Sequence, residues 1–189
     1  MAELHRALIP PRSELLPLLS ARLGELVPGW QPLAQDLLGA DAVIDLLGSE
    51  PSGRAVIVQV GGAGEDLELI GRALAQRAWV APRIRDWLQL APELPLLPEA
   101  GVIAVLLCPG FRPEAIAATR ALDPATLVLG TYRVFRDGSR LEPLIEPAGA
   151  AADLERPPVA ISPATPAPFR TGLTDADLDL TGDEHAEFE

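Results

Sequence analysis

Two apolar runs joined by a tight turn constrain this chain more than any other feature. Asp41–Gly48 carries Ala42, Val43, Ile44, Leu46 and Leu47. Ser49-Glu50-Pro51-Ser52-Gly53 is made of turn-forming residues, and Arg54–Val60 is the most strand-like segment of the sequence. The spacing predicts an antiparallel hairpin. The segment after the hairpin decides the fold class. Gly61-Gly62-Ala63-Gly64 leads into a helical pattern from about Glu65 to Leu90, with Leu67, Ile70, Leu74 and Ala78 as the expected buried stripe. Pro82 is expected to kink or divide that helix.

The flanking segments extend the pattern. Residues 1–12 read as a lead-in closed by Pro10 and Pro11. Ser13 has the chemistry of an N-cap and Glu14 that of a first-turn acid. Leu15, Leu16, Leu19, Leu23 and Leu26 recur at helical spacing until Pro28-Gly29. Trp30–Leu38 reads as a further strand. Beyond a connector stiffened by Pro92, Pro95 and Pro98, Val102–Cys108 reads as a buried strand, Pro113–Ala121 as a short helix and Ala125–Val134 as a last strand. A hairpin combined with helical crossovers predicts an α/β domain: a mixed sheet with helices on both faces.

Composition narrows the chemistry. All 15 basic residues are Arg and none is Lys, which removes side-chain Schiff bases, a Walker-type phosphate lysine and a lysine base. Arg stays protonated, so it stabilises anions without managing protons. A single cysteine, Cys108, excludes an internal disulfide and a cysteine zinc site, and His5 and His185 stand at opposite ends. Aromatic residues make up only 4%, too few for a base-stacking platform. The net charge of −12 is uneven: residues 1–140 hold 13 Arg against 16 acids, residues 141–189 two Arg against 11. The core is near neutral, and the whole field disfavours nucleic acid. No apolar run approaches a membrane span, so a cytoplasmic protein without a membrane partner is expected.

Asp45 with Leu46-Leu47, the glycine-containing turn, and Val56-Ile57-Val58-Gln59-Val60 form one constellation, with Glu14 on the preceding helix and Gln76-Arg77-Ala78-Trp79 on the following one. Over residues 13–135 this resembles the PD-(D/E)XK nuclease superfamily, particularly its RecB-like and archaeal mismatch-endonuclease-like branches. There a helix bearing an acid precedes a hairpin reading roughly DLL…G…VVVExK. The resemblance implies a restriction-endonuclease-like fold and Mg²⁺ held by Asp45, Gln59 and Glu14. Mg²⁺ needs hard oxygen ligands, and hydrolysis needs a cation near the attacking water. Two positions depart from the pattern. Gln59 stands in place of the second acid and Gly61 in place of the lysine, with Arg72 as the substitute cation. The expected outcome is a fold retained with its chemistry lost and no cofactor. A divergent Mg²⁺-dependent DNA nuclease is the alternative.

A second alternative is a nucleotide or small-molecule binder using Gly61, Gly62 and Gly64 to cradle phosphate at a strand-to-helix turn. Leu67 occupies the third glycine position of that pattern. Cys108 at a strand end reads as a small buried hydrophobe. Arg72, Arg77, Arg83 and Arg85 are interleaved with acids and read as a solvated helix face.

The expected organisation is a domain over residues 1–142, a Pro/Ala-rich linker over 143–171, and an acidic tail over 172–189 with short helices. Thr174 with Asp177 and Thr181 with Glu184 resemble capping boxes. The tail holds seven acids and no Arg, yet keeps Leu173, Leu178, Leu180 and Phe188. A protein partner, or self-association through this tail, is expected.

Overall fold

A computed structural model of the chain describes residues 5–40, 42–138 and 140–148. The tail and most of the linker read from the sequence lie outside these residues. After a short strand β1 (His5–Arg6), helix α1 (Arg12–Arg22) buries Leu15, Leu16 and Leu19. It starts at Pro11 with no side-chain cap, so Ser13 lies within its first turn and is not the N-cap. A 3₁₀ turn over Leu23–Glu25 and the left-handed Gly29 (φ 75°) redirect the chain into the sheet.

Strands β2 (Gln31–Leu38), β3 (Val43–Ser49) and β4 (Ala55–Val60) form an antiparallel meander. Helix α2 (Asp66–Leu90) leads to β5 (Val102–Cys108), which is parallel to β4 and buried along its whole length. Helix α3 (Pro113–Arg120) leads to β6 (Leu127–Asp137), parallel to β5. Strand β7 (Arg140–Pro147) returns antiparallel on β6, and β1 pairs with the far half of β6. The seven-stranded sheet is mixed and open, as the sequence pattern predicts.

Two apolar cores flank the sheet. Leu15, Leu16, Leu19 and Leu23 pack on Val56, Val58, Val60, Val105 and Tyr132. On the other face Leu69, Ile70, Ala73, Val80, Ile84 and Ala115 pack on Ile57, Ala104 and Leu106. Both crossover helices therefore cover the same face, and α1 covers the opposite one.

Three expectations need correction. The stripe of α2 is shifted: Leu67 is exposed, as is Ala78, while Leu69, Ile70, Ala73, Gln76, Val80 and Ile84 are buried. The phase follows Asp66, which points inward at the first turn. Of the two effects expected of Pro82, division is excluded, since α2 runs unbroken through it, and the Arg83 guanidinium donates to the Trp79 carbonyl at 2.8 Å beside it. Finally, β7 carries the sheet to Pro147, so Pro143 and Pro147 stand in a strand and are not linker punctuation. β7 pairs on one side only, with β6, a setting that tolerates proline. Among the described residues no helix is long and apolar enough to cross a membrane.

Candidate functional site

The β3–β4 ladder runs from Ser49–Ala55 to Leu46–Val58 and stops there. Asp45 and Gln59, on these neighbouring antiparallel strands, lie just beyond the last rung. Their side chains take over where the backbone pairing ends. Asp45 Oδ2 accepts the Val60 N–H at 2.6 Å, and the Gln59 amide donates to the Val43 carbonyl at 3.0 Å. Both residues are buried, Asp45 to 0% exposure, whereas the hairpin pattern suggests a partly exposed carboxylate. A fully buried carboxylate needs a compensating positive charge.

That charge comes from Arg12, the first residue of α1. Its guanidinium forms an ion pair with Asp45 Oδ1 and donates to the Val60 carbonyl at 3.1 Å. Asp45 therefore faces the α1 layer. Gln59 alternates with Ala55 and Ile57, both in the α2-side core, so the two motif side chains diverge across the sheet. Glu14 lies on the exposed surface of α1, and Arg72 is held by Glu68 one turn back on α2 at 2.5 Å. Among the described residues no three His, Cys, Asp or Glu side chains gather into a metal-binding group. The oxygens of Asp45 are committed to an N–H and a guanidinium, and the Gln59 amide nitrogen to a carbonyl. The three residues that the resemblance assigns to Mg²⁺ are not gathered here: Glu14 is on the exposed face of α1, and Asp45 and Gln59 point to opposite sides of the sheet.

Gln76 completes the pattern from α2. It is fully buried, and it accepts the Ala40 N–H at 3.1 Å and donates to the Ala42 carbonyl at 2.9 Å. It thereby pins the β2–β3 turn to the helix.

The glycine turn is also occupied from within. Glu65 accepts the Gly62 N–H at 2.8 Å, placing a carboxylate where a phosphate would need that donor. Asp66, buried at the start of α2, accepts the Arg112 N–H at 2.7 Å and its Nε at 2.9 Å, and Arg112 also reaches the Gly64 carbonyl. The strand order β3-β4-β5-β6 advances without reversal, so there is no switch-point crevice of the kind that receives nucleotides. Burial pushes the Cys108 thiol up to about 11 and the Tyr132 phenol to about 12, so neither supplies a nucleophile near neutrality. Two open grooves of about 490 and 440 Å³ lie along Phe135 and Leu144, and between Ile116 and Leu129, away from Asp45.

The sequence reading missed Arg12 and the Asp66–Arg112 pair. A signal existed for Arg12: a cation in the first turn opposes the helix dipole, so its side chain is worth following to a contact elsewhere. Asp66 gave none, because a first-turn acid is ordinary on a solvated helix.

No family model matches the chain, and no curated protein matches it. Solved structures with a related chain path include a repair endonuclease from Pyrococcus abyssi, at 12% identity and a TM-score of 0.45 over 65% of this chain and 47% of that one. EndoMS in a complex with double-stranded DNA aligns at 16% identity and a TM-score of 0.39, over 62% of this chain and 43% of that one. SfsA from Pyrococcus furiosus, in complex with Ca²⁺, aligns at 10% identity and 0.37, over 72% and 62%. This chain spans less than two thirds of each. At such scores the likeness says nothing of activity. The order of elements that the sequence resemblance implies is present in the chain: a helix, a three-stranded meander with Asp45 and Gln59 at its end, and two crossovers.

Proposed function

We propose that this protein is a non-catalytic module of nuclease-like fold, acting in the cytoplasm through interaction or regulation and using no metal cofactor. One observation carries the reading: the polar side chains at the motif positions are spent on the protein's own backbone. Asp45 holds Val60, Gln59 holds Val43, and Gln76 holds residues 40 and 42. With Asp45 Oδ2 on Val60 and Oδ1 on Arg12, neither carboxylate oxygen at this position is left without a partner for a metal. The expected result is no Mg²⁺- or Mn²⁺-dependent cleavage of duplex or single-stranded DNA. Cleavage by the wild-type protein that disappears in Asp45→Asn would restore the divergent-nuclease alternative, with Glu14, Asp45, Gln59 and Arg72 as its residues. Nucleic acid remains a partner that the net charge disfavours. The Gly61–Gly64 binder is the weaker alternative, since Glu65 and Asp66 crowd that turn with negative charge.

The acidic segment 172–189 is proposed to carry the protein contact, by self-association. Its apolar residues Leu173, Leu178, Leu180 and Phe188 exceed what a solvating segment needs. Exposed charge pairs add only roughly 0–1 kcal/mol each, so the apolar residues supply most of the holding. Deleting 172–189 is expected to lower the mass in solution measured by light scattering. An unchanged mass, melting temperature and salt response would reduce the segment to a solubility aid.

A further inference from the structure

We propose that Arg12 is a resident cation, which meets the electrostatic need of the buried Asp45 carboxylate and keeps divalent ions out. This deepens the non-catalytic reading and rests on it. Asp45 is fully buried, and one hydrogen bond from Val60 leaves its second oxygen in need of positive charge. The Arg12 guanidinium meets that oxygen and the Val60 carbonyl together. These are two hard oxygens of the kind a divalent ion would take.

The replacement is costly locally. Arg12 opens α1, where the helix dipole repels a cation, and its side chain remains about half exposed, at 52%. Its retention there therefore depends on the contact with Asp45. The consequence is chemical. A guanidinium is a fixed, planar donor without open coordination positions, so it neutralises the carboxylate but cannot bind and acidify a water as a metal does. On the non-catalytic reading, the absence of hydrolysis thus has a positive cause in Arg12, in addition to the absent lysine.

The test is ion rescue. Arg12→Ala is expected to melt roughly 5–10 °C below wild type. Millimolar MnCl₂ or low guanidinium chloride is then expected to raise the melting temperature of Arg12→Ala by several degrees over NaCl of equal ionic strength. Wild type is expected not to respond, nor Arg12→Ala combined with Asp45→Asn. If Arg12→Ala does not fold, Arg12→Gln carries the same ion series, together with refolding yield in each salt. The proposal is overturned if the variant melts with wild type, if neither ion exceeds NaCl, or if wild type responds equally. The non-catalytic reading fails separately, through cleavage by the wild-type protein.

Discussion

Replacing Asp66 with alanine is expected to destabilise the fold by about 3 kcal/mol at neutral pH, the low end for breaking a buried pair. The low end applies because the Arg112 side chain is about half exposed and can be resolvated, while Asp66 is 1% exposed. The loss is structural as well as electrostatic. Through Arg112 this carboxylate ties the first turn of α2 to the entry of α3, and the same guanidinium holds the Gly64 carbonyl. Burial alone would raise the Asp66 carboxyl, but the backbone N–H, the guanidinium bond and the charge of Arg112 outweigh it and hold the pKa below the ordinary value. A carboxylate depressed on folding stabilises the native state above its unfolded pKa, about 3.9. That contribution is lost as the pH falls through the lower, folded value. Urea unfolding of wild type and Asp66→Ala from pH 7 downward should therefore show a gap that is constant at neutrality and narrows below about pH 4. A gap absent at pH 7 would mean that Arg112 does not hold this end of the sheet.

Placing at position 61 the lysine that the nuclease resemblance would call for, Gly61→Lys, is expected to yield no cleavage and a loss of about 3 kcal/mol or more, from overpacking and the burial of an ammonium group. The glycine is not a simple deletion of chemistry. A β-carbon at position 61 would collide with Leu69 Cδ1 and stand 3.1 Å from Cys108 Sγ, both in the α2-side core. The backbone of Gly61 is also fixed at both ends, donating to Leu107 at 2.8 Å and accepting from the Tyr132 hydroxyl at 3.1 Å. Gly61→Ala should fall between wild type and Gly61→Lys in denaturant midpoint. A stable Gly61→Lys protein with Mg²⁺-dependent cleavage would contradict both the packing account and the resident-cation proposal.

The hairpin, the crossovers and the central strand were legible because alternation and apolar runs are local signals. Arg54–Val60 and Val102–Cys108 carry them without ambiguity. The helix stripe was not legible to the residue. Leu67 and Leu69 are both apolar, and only the inward turn of Asp66 sets which of them is buried. β7 was missed because Pro143 and Pro147 resemble linker residues, and the tolerance of a strand paired on one side depends on tertiary position. Asp45 and Gln59 were legible as neighbours across the hairpin, but what their side chains bond depends on which backbone groups the ladder leaves unpaired. Arg12 and Asp45 are separated by 33 positions, and nothing in their spacing announces an ion pair.

The placement of β5 bears on how the chain assembles. The β2–β3–β4 meander and the β6–β7 hairpin each join neighbours in sequence, so each can form with little loop-closure entropy. β5 pairs in parallel with both units, to β4 across the whole of α2 and to β6 across α3. Among the described residues the two local units share no ladder with each other, and Val102–Cys108 is the strand that joins them into one sheet. Both closures that join the two units therefore fall on a strand buried along its whole length. A defect in β5 would leave two hairpin units able to form their own turns and unable to find each other.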